Sequence, residues 1–279
     1  MNQPDPAVLA LCRYHREADP ERLVLRLCRR PLAQCPTASG PTPLQVLGSL
    51  QGVRRYDSRP IHPSAGCSGL LVPRDGGYDI TVHVGEPKER QNFSVAHEIV
   101  HTFFREASPY AQPSLQEEKL CDLGAAELTM PSARFSAFLA AKGLSLAGIG
   151  ECRTEFAVSF EAAGRRSISL TDEPACLLIA TMSRTKKQKH FDVGEPVLRI
   201  TKWWQSQTWP DGNNYQNLAV DPASLIGQAF TNQDQRHGRA SLGIAFRPGI
   251  YELETRGYAY PLPGNPGHRQ VVTLPHVPN

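Results

Sequence analysis

The sequence predicts an α+β protein with two regions, a mainly helical one with a small hairpin over residues 1–167 and a strand-rich one over residues 168–279. Three observations carry that expectation. Up to about residue 167 the chain reads mostly as helices punctuated by Pro, Ser and Gly at their ends. Among these helices a single stretch, residues 67–85, alternates instead of following helical spacing. Beyond residue 167, short β-branched and aromatic runs are separated by Gly, Pro and Asn turns.

Length and composition agree with this reading. A chain of 279 residues suffices for two compact domains of roughly 150 residues each. With 40% hydrophobic and 20% charged residues, it lies outside the disordered class. The net charge of +3 is small and its cations are dispersed, which gives no reason to expect direct nucleic-acid binding. Cys12, Cys28, Cys35, Cys67, Cys121, Cys152 and Cys176 include no CxxC pair. They argue for reduced thiols and against a cysteine-built zinc site. The N-terminal segment lacks an apolar run long enough for a signal peptide, and no membrane-spanning run occurs. The expected location is the cytoplasm, without membrane contact.

Residues 6 to 30 read as helical, with Leu9, Leu11, Leu23, Leu25 and Leu27 inward and Pro20 interrupting or restarting the helix. A Pro, Gly and Ser-rich connection leads to a short helix within residues 43–53. "CSGLLVPRDGGYDITVHVG", residues 67–85, predicts two strands around a turn at Asp75-Gly76-Gly77. The polar link "EPKERQN" then leads to a helix, "FSVAHEIVHTFFRE". Ser114 is the N-cap expected for a helix through Met130, and Pro131 opens another that Gly143 stops. Further helices are expected near residues 146–156 and after Ser159. Strands are expected in "ACLLIATMS", "PVLRITKWWQ", "GIAF", "GIYELETRGYAYPL" and "RQVVTL". Lys186 to Lys189 read as a solvated loop, and Trp203, Trp204, Trp209 and Tyr215 as either a core cluster or a pocket lining.

Chemistry enters at His97, Glu98 and His101. On a helix, residues four apart stand about 6 Å apart on one face, so two imidazoles can hold one ion. Glu98 points in an adjacent direction, where its carboxylate reaches a water and serves as general base. Imidazole and carboxylate donors with one open position suit Zn2+, with another divalent ion such as Mn2+ as the alternative. Such an ion lowers the pKa of a water towards neutrality. HExxH alone fits a metal site and a coincidence about equally. The surroundings favour the metal, because Val95, Ala96, Ile99, Val100, Phe103 and Phe104 bury the helix and its polar groups then need a partner.

A third ligand is required from elsewhere. On the next helix Glu118 begins a stripe with Cys121, Asp122, Ala125 and Leu128, and faces the histidines, whereas Glu117 and Glu127 are expected to face water. Asp122 is a candidate to hold a ligand imidazole in one tautomer, or else a surface residue. His83 and Tyr110 are candidates to stabilise an oxyanion, or else structural.

"ERQNFSVAHEIVHTFF", "EKLCDLGAAELTMP" and "FAVSFEAAGRR" together resemble the ImmA/IrrE metallopeptidases, over about residues 65–167. The resemblance implies a zincin-like domain over residues 1–167, including a helical segment at about 131–167. A β-rich regulatory or sensor-like domain then occupies 168–279, in loose similarity to the radiation-response branch. It also implies a zinc endopeptidase with His97, His101 and Glu118 as ligands and Glu98 as base. The family's substrate is a helix-turn-helix transcriptional repressor, cut in a DNA-damage or mobile-element response. Cys121, Asp122, Gly124 and Thr129 depart from the family's Ala, Asn, Phe and Leu without touching the ligand set. Residues 78–84 are the expected substrate-binding strand edge, unless the N-terminal helices cover it. The rival readings are a metal-stabilised regulatory or binding protein without turnover and an exported toxin-like zincin.

Overall fold

The structure is a computed structural model that describes residues 5–62, 66–108, 113–210, 214–242, 251–259 and 269–276. The chain forms two compact units, residues 1–138 with 152–160 and residues 139–151 with 161–279.

The first unit opens with α1 (Pro6–His15) and α2 (Pro20–Gln34). Asp5 and Asp19 cap them, each accepting two backbone N–H groups, and each helix carries a proline at its first position, where the missing N–H costs no bond. Pro20 therefore restarts the helix. Leu11, Leu23 and Leu27 are buried, with Val8, Val24 and Cys28 beside them, while Leu9 and Leu25 are half-buried. A short α3 (Leu44–Ser49) leads to β1 (Val53–Arg59), β2 (Gly69–Arg74) and β3 (Gly77–His83). Gly76, at φ +76°, makes the turn between the last two strands.

The sheet order is β1-β3-β2, with β3 parallel to β1 and antiparallel to β2. This corrects the expected substrate edge. Residues 78–84 cannot offer an edge, because β3 spends its hydrogen bonds on both neighbours. The edge strand of the hairpin is β2.

Next come α4 (Lys88–Ala107) and α5 (Leu115–Thr129), then α6 (Ser132–Lys142) and α7 (Leu146–Phe156), whose residues are divided between the two units. The link before α4 is shorter than its polarity suggests, because "KERQN" already forms the first turns of the helix. Ser114 caps α5 by accepting the Glu117 N–H. α4 contributes Ala96, Ile99, Val100, Phe103 and Phe104 to a core shared with Leu11, Leu23, Ile80, Val82 and Leu128. Gly124 of α5 lies where a Cβ would come within 2.7 Å of a Val100 methyl and 3.0 Å of a Val24 methyl. Its missing side chain lets α2, α4 and α5 meet, which explains glycine at this position in this chain.

The second unit contains α8 (Phe160–Leu170), β4 (Cys176–Ser183), α9 (Lys186–His190), β5 (Val197–Gln205), α10 (Leu225–Asn232), β6 (Gln235–Ala240), β7 (Tyr251–Ala259) and β8 (Arg269–His276). Its strands form one antiparallel sheet in the order β5-β4-β8-β7-β6. The expected strand "GIAF" lies outside the described residues. "KKQKH" is a short exposed helix held by a capping box between Thr185 and Gln188. Trp203, Trp209 and Tyr215 belong to the core: Trp203 meets Tyr215 edge-on at 5.6 Å, and Trp209 stacks on Tyr251 at 5.4 Å. Among the described residues no helix is long and apolar enough to cross a membrane.

Candidate metal centre

His97 and His101 occupy successive turns of α4 and point at α5, which packs alongside. Each imidazole is anchored at Nδ1 by a carboxylate of α5. Asp122 Oδ1 lies 3.0 Å from His97 Nδ1, and Glu117 Oε1 lies 2.7 Å from His101 Nδ1. With Nδ1 donating its proton in this way, each ring turns Nε2 towards the other, and the two Nε2 atoms stand 3.2 Å apart. Glu118 closes the group. Its Oε2 is 3.1 Å from His97 Nε2 and its Oε1 is 3.5 Å from His101 Nε2.

These separations fit one ion. Two N or O donors bound tetrahedrally to zinc at about 2.0–2.2 Å stand about 3.3 Å apart. His97, His101 and Glu118 bracket that value. A second grouping exists, because His97, His101 and Cys121 each offer a donor atom within 4.8 Å of the others. Chemistry favours the first. Cys121 Sγ approaches His101 at Nδ1, 3.4 Å away, on the side of the ring that Glu117 already holds. One imidazole cannot point both nitrogens at one ion.

Burial by itself would lower the pKa of His101. Hydrogen bonds to Cys121, Glu117 and Glu118 overcome it, and the value is pushed up to about 12. Glu118 moves the other way, held below the usual carboxylate range first by its hydrogen bond to His101. Its side chain is 44% exposed, so the group opens to solvent. Glu98 is buried beside the pair. Desolvation raises its pKa, and the two histidines oppose that shift without cancelling it.

Residues 54–167, holding the whole group, match the Peptidase_M78 family, described as the IrrE N-terminal-like domain. This segment is similar to the IrrE N-terminal-like domain. The match places a peptidase-family domain around the histidine pair. No curated protein matches the chain. A solved structure named "Mycobacterium tuberculosis transcriptional regulator" has a TM-score of 0.55 at 13% identity, covering 91% of this chain and 87% of that one. At that identity the likeness is one of fold.

Within the matched segment the structure brings together His97, Glu98, His101, Glu118 and Asp122. His83 closes the turn after β3, where its Nδ1 accepts the Gly85 N–H at 2.9 Å. Tyr110 lies outside the described residues. Two expectations are corrected. Glu117 and Glu127 do not face water; both are buried, the first on His101 and Arg105, the second on Arg29 and Ser132. Glu117 has a signal in the sequence, since it shares a helical face with Cys121, Gly124 and Leu128 at spacings of four, seven and eleven. Sequence reasoning also misses Gly69 of β2. A Cβ there would come within 2.8 Å of Glu98 Oε1 and 3.2 Å of its Cγ, so a side chain at this position would push the carboxylate aside.

Proposed function

We propose that this chain is a metal-dependent endopeptidase that cuts a specific regulatory protein. The reading is carried by the spacing of His97 Nε2, His101 Nε2 and Glu118 at single-ion distances, with a buried glutamate adjoining them. Zinc is the ion this donor set fits best, and it would supply Lewis acidity to a peptide carbonyl and acidify a water. Manganese is the alternative.

The chain's own residues supply the rest. Asp122 and Glu117 hold the two imidazoles so that both Nε2 atoms converge. Glu98 takes a proton from the attacking water on its carboxylate and returns it to the leaving amine nitrogen as the C–N bond breaks. Desolvation strengthens this base. The edge of β2 is where a substrate strand would add. Ser68 O accepts the His83 N–H, so Gly69 and Leu71 turn their backbone groups away from β3, where Glu98 accepts the Leu71 N–H, and Pro73 offers only its carbonyl.

The partner supported by the resemblance of the three sequence motifs is a helix-turn-helix transcriptional repressor, in a stress or mobile-element response within the cytoplasm. Residues 168–279, with a core of their own, are assigned to regulation or substrate presentation. The test is cleavage of a helix-turn-helix repressor encoded beside this protein, by purified protein with zinc. Glu98→Gln should retain zinc and lose cleavage. Equal turnover by wild type and variant would remove Glu98 as base. Zinc binding with no cleavage by either would favour a regulator without turnover.

A further inference from the structure

We propose that Glu117, clamped by Arg105, is the positioning residue that fixes His101 for an ion, and that this buried carboxylate governs metal affinity more than the exposed Asp122 does. The inference rests on the reading of His97, His101 and Glu118 as a metal site. The two histidines are held alike at Nδ1, yet their holders differ. Asp122 is 57% exposed, so water competes for its contact with His97 and screens it. Glu117 is 0% exposed and His101 7%. Between these two no solvent intervenes, and the 2.7 Å contact acts at full strength.

A lone polar group at such depth is costly without a partner. Arg105, one turn beyond His101 on α4 and itself buried, forms an ion pair with Glu117 through Nη2. Both contacts fall on one atom. Glu117 Oε1 receives His101 Nδ1 and Arg105 Nη2, while Oε2 is buried without a partner among the described residues. A glutamate serving only the ion pair would be expected to meet the guanidinium with both oxygens. This one sacrifices the second bond and bridges the arginine to the histidine. The ring cannot then rotate without breaking a buried ionic contact, so Nε2 stays aimed at His97 and Glu118. Ordering a ligand in advance in this way raises affinity without adding a donor.

Glu127 provides a matched control. It sits on the same helix, is 2% exposed, and bonds Ser132 Oγ at 2.9 Å and Arg29 at 3.4 Å. The experiment measures zinc affinity of the full chain by competition with a chromophoric chelator, and the visible spectrum with cobalt(II) in place of zinc. Glu117→Gln should weaken zinc on the order of 10–100-fold and alter the cobalt spectrum. Glu127→Gln should change neither, although both variants neutralise a buried carboxylate. Should Glu117→Gln fail to fold through its stranded arginine, the pair Arg105→Met with Glu117→Gln removes that cation and should show the same affinity loss. Unchanged affinity in Glu117→Gln, or wild-type affinity in the double variant, overturns the proposal while the metal site stands. A wild-type chain that binds neither zinc nor cobalt overturns the metal-site reading and this inference together.

Discussion

Alanine in place of Cys121 should leave the way zinc affinity changes with pH close to that of the wild type. The reasoning counts protons. His101 holds its ring proton up to about 12 through Cys121, Glu117 and Glu118, against the effect of burial. An ion taking Nε2 must displace one proton there, so affinity rises with pH as that competition weakens. Cys121 holds its thiol proton up to about 11, chiefly through burial. Were sulfur the third donor, a second proton would have to leave. Each proton released changes affinity about tenfold per pH unit, hence about 100-fold or ~2.7 kcal/mol between pH 7 and pH 9. With Glu118 as donor, removal of the thiol takes no proton out of the count and the two proteins follow parallel lines. With Cys121 as donor, the variant loses that factor of about 100 in its pH dependence, along with a ligand. Competition with a chelator at three pH values, for both proteins, measures the difference. A variant line shallower by one proton would refute the choice of Glu118.

Glu118→Gln removes the anionic donor while keeping its shape, and should lower zinc affinity by more than the 10–100-fold that loss of an outer partner costs; metal content after dialysis checks it. Gly69→Ala should depress cleavage with zinc content unchanged, because the new methyl displaces Glu98, 2.8 Å from the Cβ position, and not the histidines. Gly124→Ala tests the helix packing. The substitution ordinarily gains about 1 kcal/mol in a helix, yet its Cβ would stand 2.7 and 2.9 Å from the two Val100 methyls. Overpacking of this kind costs about 1–3 kcal/mol. The variant should therefore melt lower than wild type, and one that melts higher would disprove the close approach.

The histidine helix is legible in the sequence because its signal is local. Histidines four apart share a face whatever the rest of the chain does, and the apolar residues around them report burial. Glu118 is legible for the same reason, through its stripe. β1 is not, since "VRRYDSR" buries only Val53 and its pairing with β3 comes from a distant segment. The misplaced edge follows from that omission: a hairpin read alone leaves either strand free on one side, and only the parallel partner makes β3 central.

Glu117 escapes for a different reason. An acid on a helix reads as solvent-facing from its residue type, whatever its position, unless a partner is in view. Its partners, His101 and Arg105, lie on another helix, four residues apart on one face. The same spacing that marks His97 and His101 as a pair places Arg105 one turn further along the stripe. An acid on the facing helix, at a position whose neighbours at four and seven are Cys121 and Gly124, then has a cation and an imidazole to meet. Burial of such a group therefore points to what it holds, and it does so most strongly where a ligand histidine needs its second nitrogen anchored.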